Sequence, residues 1–452
     1  MFDRAHIFNS SFVAITAGLC FTVGFYSLFA SFTAYDNPAR ITTLCCWLLL
    51  CTVSSLLVYR LTSAVSWSIV SFVLTFIFTE SFVNESTHPQ GFIVVATIVV
   101  PLAACFLSDQ RKRSPWVLIG ALVAAIFYTR FNAGIFALAA SCVVLAAHFS
   151  INRGRGMLAA VFIAGSMAFP FVLMFPLLPR PNALPFAIIT ALATGAAAVI
   201  AFAVTDQDTN GKPASFFFVI GICAASSLVL PFAGPVGVTA GDIFASLLSY
   251  SASQLEFYHY FRVYSDIQLI SAGISMACAL CFYYSKGVRW ILVLGKSYFV
   301  AVALFSILIN NTENAHALLG YAGPWCWLVV TGGRTQNLIA ARLLLTTIAA
   351  WSPLLAYPIP ESQLYFASLP ILLAAVVCTA DILSWTDSLV VERAFPFMAS
   401  LMVLIALLLQ LSKSSSQYYG DRPLDRPAAY SSIMAIKSRE NLYASPGQRA
   451  DK

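Results

Sequence analysis

The stretch Ala183–Val204, ALPFAIITALATGAAAVIAFAV, contains 22 residues without one charged side chain. A helix of this length extends about 33 Å at roughly 1.5 Å per residue, which matches the ~30 Å hydrocarbon core of a bilayer. Inside lipid, an isolated segment satisfies its backbone N–H and C=O groups only as a helix. The stretch therefore predicts a membrane-spanning helix.

Similar apolar runs recur along the chain and predict its fold class. We expect an all-α, polytopic integral membrane protein of about 13–15 apolar helices, some of them short or interfacial. The predicted domains are a multi-span helical membrane domain at 1–411 and a polar C-terminal tail at 412–452. The runs lie near residues 11–32, 41–59, 64–82, 91–107, 116–129, 133–149, 157–178, 183–204, 214–236, 267–284, 290–309, 316–331, 338–357, 364–385 and 393–411.

Composition excludes several classes of protein. Of the 452 residues, 60% are hydrophobic and only 10% are charged, whereas about a quarter of a soluble domain is charged. A water-soluble enzyme and a nucleic-acid-binding protein are thereby excluded, and membrane lipids are the predicted surroundings. The 11 cysteines lie inside apolar runs, where a thiol behaves as a small hydrophobe, so no disulfide framework is predicted.

The basic residues predict the sidedness of the chain. With the N-terminus inside, the inward loops hold most of the Lys and Arg residues, as the positive-inside rule requires, and the C-terminal tail falls outside. The inward set is Arg4, Arg60, Arg111, Lys112, Arg113, Arg153, Arg155, Lys212, Lys286, Arg289, Arg334, Arg342 and Arg393. The outward set before the C-terminal tail is Arg40, Arg130, Arg180 and Arg262.

One outward loop concentrates groups that suit acid–base chemistry. Glu80, Asn84, Glu85 and His88 lie within nine residues at a helix exit, and Pro89 suits the first position of the next helix. Carboxylates and imidazole serve as general bases. Their spacing fixes no metal ligands, so a divalent metal stays open as a cofactor without an assigned site. The alternative is that a loop in water is simply polar.

A second polar site follows two prolines. In Tyr357-Pro-Ile-Pro360-Glu361-Ser-Gln363, the prolines end one helix and stiffen the turn that presents Glu361 and Gln363 at the outer rim. The alternative is that this segment is only a turn.

Two charged residues fall beside or inside apolar runs. Arg130, in Arg130-Phe-Asn132-Ala-Gly134, either extends to the lipid headgroups or faces a wet cavity with an anionic partner. Lys296 lies close enough to the inner end of its run for its stem to reach the headgroups, so we predict a structural role for it.

Several short motifs, taken in order, resemble bacterial membrane proteins of the GT-C superfamily, which transfer sugars from polyprenyl-phosphate donors. The relatives meant are the protein O-mannosyltransferase and aminoarabinose transferase group. The motifs are Arg40 before a span, Val58-Tyr59-Arg60-Leu61, Asn84-Glu85-x-x-His88-Pro89-x-Gly91, Arg130-x-Asn132-x-Gly134, Tyr357-Pro-x-x-Glu361-Ser-Gln363 and Arg422-Pro423-Leu424-Asp425-x-Pro427.

The resemblance implies an enzyme of the bacterial cytoplasmic membrane with an outward-facing cavity, a lipid-linked sugar donor and an inverting displacement. It implies Glu85, His88 and Glu361 as catalytic candidates. The implied substrate-binding residues are Arg40, Glu80, Asn84, Arg130, Asn132 and Gln363, with the two arginines on the donor phosphate.

The chain departs from these enzymes at its start, since it lacks their long acidic first outward loop and offers only Asp36 there. Two other functions therefore stay open. One is a non-catalytic membrane subunit of transferase ancestry, and the other is a transporter or flippase for a lipid-linked or small polar solute.

Overall fold

A computed structural model describes eleven segments of the chain, and all its secondary structure there is helical. The segments are residues 38–79, 90–108, 114–149, 155–180, 182–205, 214–233, 264–285, 289–308, 313–332, 338–356 and 361–385. No strand occurs in these segments, which confirms the all-α fold class. The chain separates into two compact units, Met1–Leu404 and Ile405–Lys452, and every described residue belongs to the first.

Thirteen α-helices follow one another in the described segments. They are α1 (Pro38–Thr62), α2 (Val65–Phe78), α3 (Gln90–Ala104), α4 (Ser114–Thr129), α5 (Phe131–Phe149), α6 (Arg155–Met174), α7 (Ala183–Val204), α8 (Ala214–Ala233), α9 (Asp266–Ser285), α10 (Arg289–Leu308), α11 (Glu313–Ala317), α12 (Ile339–Trp351) and α13 (Glu361–Trp385). Short 3₁₀ turns extend α3, α6 and α12 at Cys105–Ser108, Phe175–Leu177 and Ser352–Ala356.

Seven of the helical stretches in the described residues are long and apolar enough to cross a membrane. They are Cys45–Thr62, Phe131–His148, Gly156–Leu177, Ala183–Val204, Asp266–Ser285, Ile339–Ala356 and Gln363–Ser384. Shorter apolar helices, Val65–Phe78, Gly91–Ala104, Pro115–Thr129, Ala214–Ser227 and Ile291–Ser306, overlap the predicted runs at 64–82, 91–107, 116–129, 214–236 and 290–309. The predicted runs at 11–32 and 393–411, and the expected tail from residue 412, lie outside the described residues.

The core is centred on α12, which packs on α3, α5, α7 and α13. Its residues from Ala341 to Trp351 are all buried. By contrast, α6 and the 3₁₀ turn that extends it are as apolar as the core helices and yet expose Met157, Val161, Val172 and Phe175. A large exposed apolar face indicates a lipid environment, which fits an integral membrane protein.

Two glycines let α4 and α8 approach until their backbones touch. A Cβ placed on Gly120 would lie 2.1 Å from the carbonyl oxygen of Phe218. A Cβ on Gly221 would lie 2.0 Å from the carbonyl oxygen of Val117. Small residues commonly mediate such close crossings in membranes, where packing and not hydrophobic exclusion drives helix association.

The predicted run at 316–331 is helical but irregular. A π-helical turn, Leu318–Ala322, leads into a ten-residue 3₁₀ helix, Gly323–Gly332. Pro324 lacks a backbone N–H, and its carbonyl oxygen accepts a hydrogen bond of 2.7 Å from Ser275 Oγ on α9. Trp327 Nε1 donates to the same hydroxyl at 2.9 Å. Irregular backbone persists at membrane depth only where protein surrounds it, as it does here.

Candidate functional site

The structure brings two of the predicted substrate-binding residues into contact. Arg130 Nη2 donates a 2.9 Å hydrogen bond to Gln363 Oε1, although 233 residues separate them in sequence. Arg130 links α4 to α5, and Gln363 lies in the first turn of α13. Gln363 is buried, while Arg130 is half-buried. One partner of this guanidinium is thus an amide, and we call these two residues the Arg130–Gln363 pair.

Local backbone geometry explains the glycine of the Arg130 motif. Arg130 N–H donates to the carbonyl oxygen of Ile126 at 2.8 Å, and Gly134 N–H donates to that of Arg130 at 3.0 Å. A Cβ on Gly134 would lie 2.2 Å from Cα of Phe127. Only glycine allows α5 to fold back this closely on α4, and this turn fixes the position of Arg130.

The end of α2 lies beside the start of α13. The rings of Phe78 and Tyr365 make an edge contact with centroids 5.4 Å apart. Thr79, the next residue, accepts a 2.8 Å hydrogen bond on Oγ1 from Trp47 Nε1 of α1. The chain therefore leaves α2 close to the turn of α13 that carries Gln363.

The remaining predicted site residues fall in three groups. Asn132 is half-buried in the first turn of α5. Arg40 lies in the first turn of α1, and Glu361 is the first residue of α13. Glu80, Asn84, Glu85 and His88 lie outside the described residues, so their predicted roles stay predictions. Within the described segments, no three His, Cys, Asp or Glu side chains come together as metal ligands.

Sequence analysis missed a cluster of three buried charged residues. Asp381 Oδ2 accepts hydrogen bonds from Lys296 Nζ and from Arg342 Nη1, both at 2.8 Å. Arg342 Nη2 also donates to Asp381 Oδ1 at 3.0 Å, so the guanidinium of Arg342 binds the carboxylate in a bidentate manner. Exposure is 0% for Lys296, 3% for Arg342 and 6% for Asp381. We call these three residues the buried charge cluster.

The buried charge cluster joins elements from across the bundle. Lys296 belongs to α10, Arg342 to α12 and Asp381 to the last turns of α13. Arg342 also donates to the carbonyl oxygens of Val329, at 2.7 Å, and of Leu61 at the end of α1, at 3.1 Å. The prediction that Lys296 reaches the headgroups is wrong, because an ion pair inside the protein satisfies its ammonium group. The sequence signal that could have predicted this cluster is the presence of charged residues of both signs inside separate apolar runs.

The Arg130–Gln363 pair and the buried charge cluster contact opposite ends of α13. Gln363 and Asp381 are about 27 Å apart along the helix at ~1.5 Å per residue. Leu61 and Arg342 therefore lie at one end of α13 and Arg130 at the other, as the predicted alternation of loops requires. Which of these ends faces the cytosol stays a prediction.

Comparison with protein-family models, curated proteins and solved structures finds no match to this chain.

Proposed function

We propose that this protein is a membrane-embedded, glycosyltransferase-like enzyme that binds a polyprenyl-phosphate sugar at the Arg130–Gln363 end of the bundle. The observation that carries the proposal is the hydrogen bond between Arg130 and Gln363. A guanidinium has five N–H donors in a planar arrangement that matches a phosphate, and the hydrogen bond to Gln363 fixes the orientation of that plane.

The proposed reaction needs a phosphate-binding cation and a base. Arg130 would hold the donor phosphate by charge-assisted hydrogen bonds, with Arg40 as the second predicted cation. A carboxylate, Glu85 or Glu361, would take the proton of the acceptor hydroxyl. The acceptor oxygen then bonds to the anomeric carbon as the bond from that carbon to the phosphate oxygen breaks. The lipid phosphate leaves, and attack from the opposite face inverts the anomeric centre.

Donor consumption by purified protein tests this proposal. We expect wild-type protein to consume one of a panel of radiolabelled polyprenyl-phosphate sugars, and Arg130→Ala to lower the rate by about 10- to 150-fold, the equivalent of one lost charged hydrogen bond. Gln363→Ala should lower the rate less. Arg60→Ala is the matched control, because Arg60 is exposed and contacts the ring of Phe106 instead.

Two results would contradict the transferase assignment. The first is full activity in Arg130→Ala, which would remove Arg130 from the site. The second is wild-type protein that binds a donor and never consumes it, which would favour a non-catalytic subunit.

The buried charge cluster favours a second candidate, a transporter or flippase. Ionisable residues inside membrane helices commonly mark ion or substrate pathways. On this hypothesis, proteoliposomes containing the protein move a lipid-linked sugar or a small polar solute between leaflets or compartments, and Asp381→Asn abolishes the movement. Absence of transport alongside donor consumption would exclude the transporter.

A further inference from the structure

Hydroxyl side chains follow one face of α2. Ser68, Ser71, Thr75 and Thr79 are spaced three or four residues apart, which places them within one narrow arc of the helix. The two at the ends bind α1, since Ser68 Oγ lies 2.7 Å from Ser55 Oγ and Thr79 accepts the bond from Trp47. This face of α2 is therefore turned towards α1, and we call the interface the hydroxyl seam.

Three hydroxyls without partners belong to the middle of the hydroxyl seam. Ser71 and Thr75 lie on the seam face of α2, and Ser54 lies two turns from Trp47 on α1, in the register that the Trp47–Thr79 and Ser55–Ser68 contacts set. Ser54 of α1 and Ser71 and Thr75 of α2 are fully buried, and their side-chain oxygens form no hydrogen bond within the described part of the chain. Other buried hydroxyls bond back to their own helix, as Thr79 does to the carbonyl oxygen of Thr75 and Thr97 to that of Ile93, both at 2.6 Å. The hydroxyls of Ser54, Ser71 and Thr75 form no such bond to a carbonyl oxygen of their own helix.

A ligand between the two helices would satisfy them. A buried hydroxyl without a partner costs roughly 1–3 kcal/mol, and three such groups at one interface make a shared partner favourable. The partner must both donate and accept hydrogen bonds, because each hydroxyl can do both. No carboxylate lies on either described helix face to favour a cation, so the chemistry matches water.

We propose that the interface between α1 and α2 binds water, held by the hydroxyls of Ser54, Ser71 and Thr75. The hydroxyl seam runs about 16 Å along α2 from Thr79 to Ser68 at ~1.5 Å per residue. Thr79 lies at the end of α2 that contacts α13 through Phe78 and Tyr365. The bound water thus extends a polar surface from that end into the apolar interior, whatever reaction the protein performs.

Radiolytic footprinting of the full-length protein in lipid nanodiscs tests the proposal. Cys51 lies on α1 between Trp47 and Ser54 and is fully buried, so its oxidation requires water inside the interface. Cys326 is equally buried in the 3₁₀ helix and is the matched control. We expect Cys51 to oxidise at least several-fold faster than Cys326, and to lose this difference in the variant S54A/S71A/T75V. Equal, slow oxidation of both cysteines in wild-type protein would overturn the proposal.

Thermal unfolding of the same variants gives a second test. Removing one hydroxyl leaves the water and the other two hydroxyls short of a partner, so each single variant should unfold at a lower Tm. The triple variant removes every member and should recover most of that loss. Small and additive shifts would instead mean that the hydroxyls rotate to bond their own helices, and would overturn the proposal.

Discussion

At the scale of single residues, the buried charge cluster depends on one carboxylate. Asp381 faces the ammonium group of Lys296 and the guanidinium of Arg342, all of them buried. Removing one partner of a buried ion pair leaves a charge without compensation, which costs more than the pair itself contributed.

We therefore expect Asp381→Asn to lower the free energy of unfolding by about 3–5 kcal/mol. Lys296→Met combined with Asp381→Asn should cost less than the sum of the two single changes, because the residues share one interaction. Denaturant unfolding in detergent measures both. Asp266→Asn, at an exposed carboxylate that begins α9, is the control and should change little. Additive losses would argue against a direct pair.

Single residues also show where sequence reasoning stops. Both Arg130 and Gln363 were predicted as binding residues from their local motifs. Their contact was not predicted, because local motifs carry no information about a partner 233 residues away. Asp381 was not predicted as part of a site, because a single carboxylate inside an apolar run does not indicate which distant cations it contacts.

At the scale of helices, the crossing of α4 and α8 depends on the missing side chains of Gly120 and Gly221. Hydrophobic runs predicted both helices, but the runs do not say which pairs touch. That information lies in individual small residues, whose role becomes visible only when the opposing backbone is known.

We expect Gly120→Ala to destabilise the protein by about 1–3 kcal/mol, because its Cβ would overlap a backbone oxygen that cannot rotate away. Gly165→Ala on α6 is the matched control, since nothing lies within 4 Å of a Cβ there. The control should be neutral or slightly stabilising, because alanine favours helix over glycine. Tm measurements in detergent compare the two, and equal shifts would contradict the close crossing.

The irregular segment 318–332 shows that the type of helix could not be predicted from the sequence. Its apolar composition predicted a span, and the chain there is helical as expected. Hydrophobicity does not distinguish an α-helix from a 3₁₀ helix here, since the segment is apolar and buried on nearly every side. Hydrogen bonds from Trp325 to Ser271 and from Trp327 to Ser275 help to hold this geometry, and they are tertiary.

At the scale of the whole molecule, the separation of about 27 Å between Gln363 and Asp381 approaches the ~30 Å thickness of the hydrocarbon core. The sequence predicted helices of this length because a bilayer imposes its thickness on every segment that crosses it. The arrangement of the helices around α12 could not be predicted, since it depends on side-chain fit between distant segments.

Cysteine labelling measures which end faces the cytosol. In a variant with the 11 native cysteines replaced, Arg60→Cys should react with an impermeant maleimide only in inside-out vesicles. Arg180→Cys should react only in right-side-out vesicles, because the charge distribution places it outside. Both cysteines reacting in the same vesicles would contradict the predicted sidedness.

The wide spacing of the charged partners along the chain has a consequence for biosynthesis. Lys296 is translated 85 residues before Asp381. At about 5–20 residues per second, a ribosome needs roughly 4–17 s to close that gap. During this interval the ammonium group of the nascent α10 has no Asp381 to neutralise it. Because a lysine inside a membrane helix costs about 2.5–3.5 kcal/mol on insertion scales, we expect the final integration of α10 to be delayed until α13 emerges.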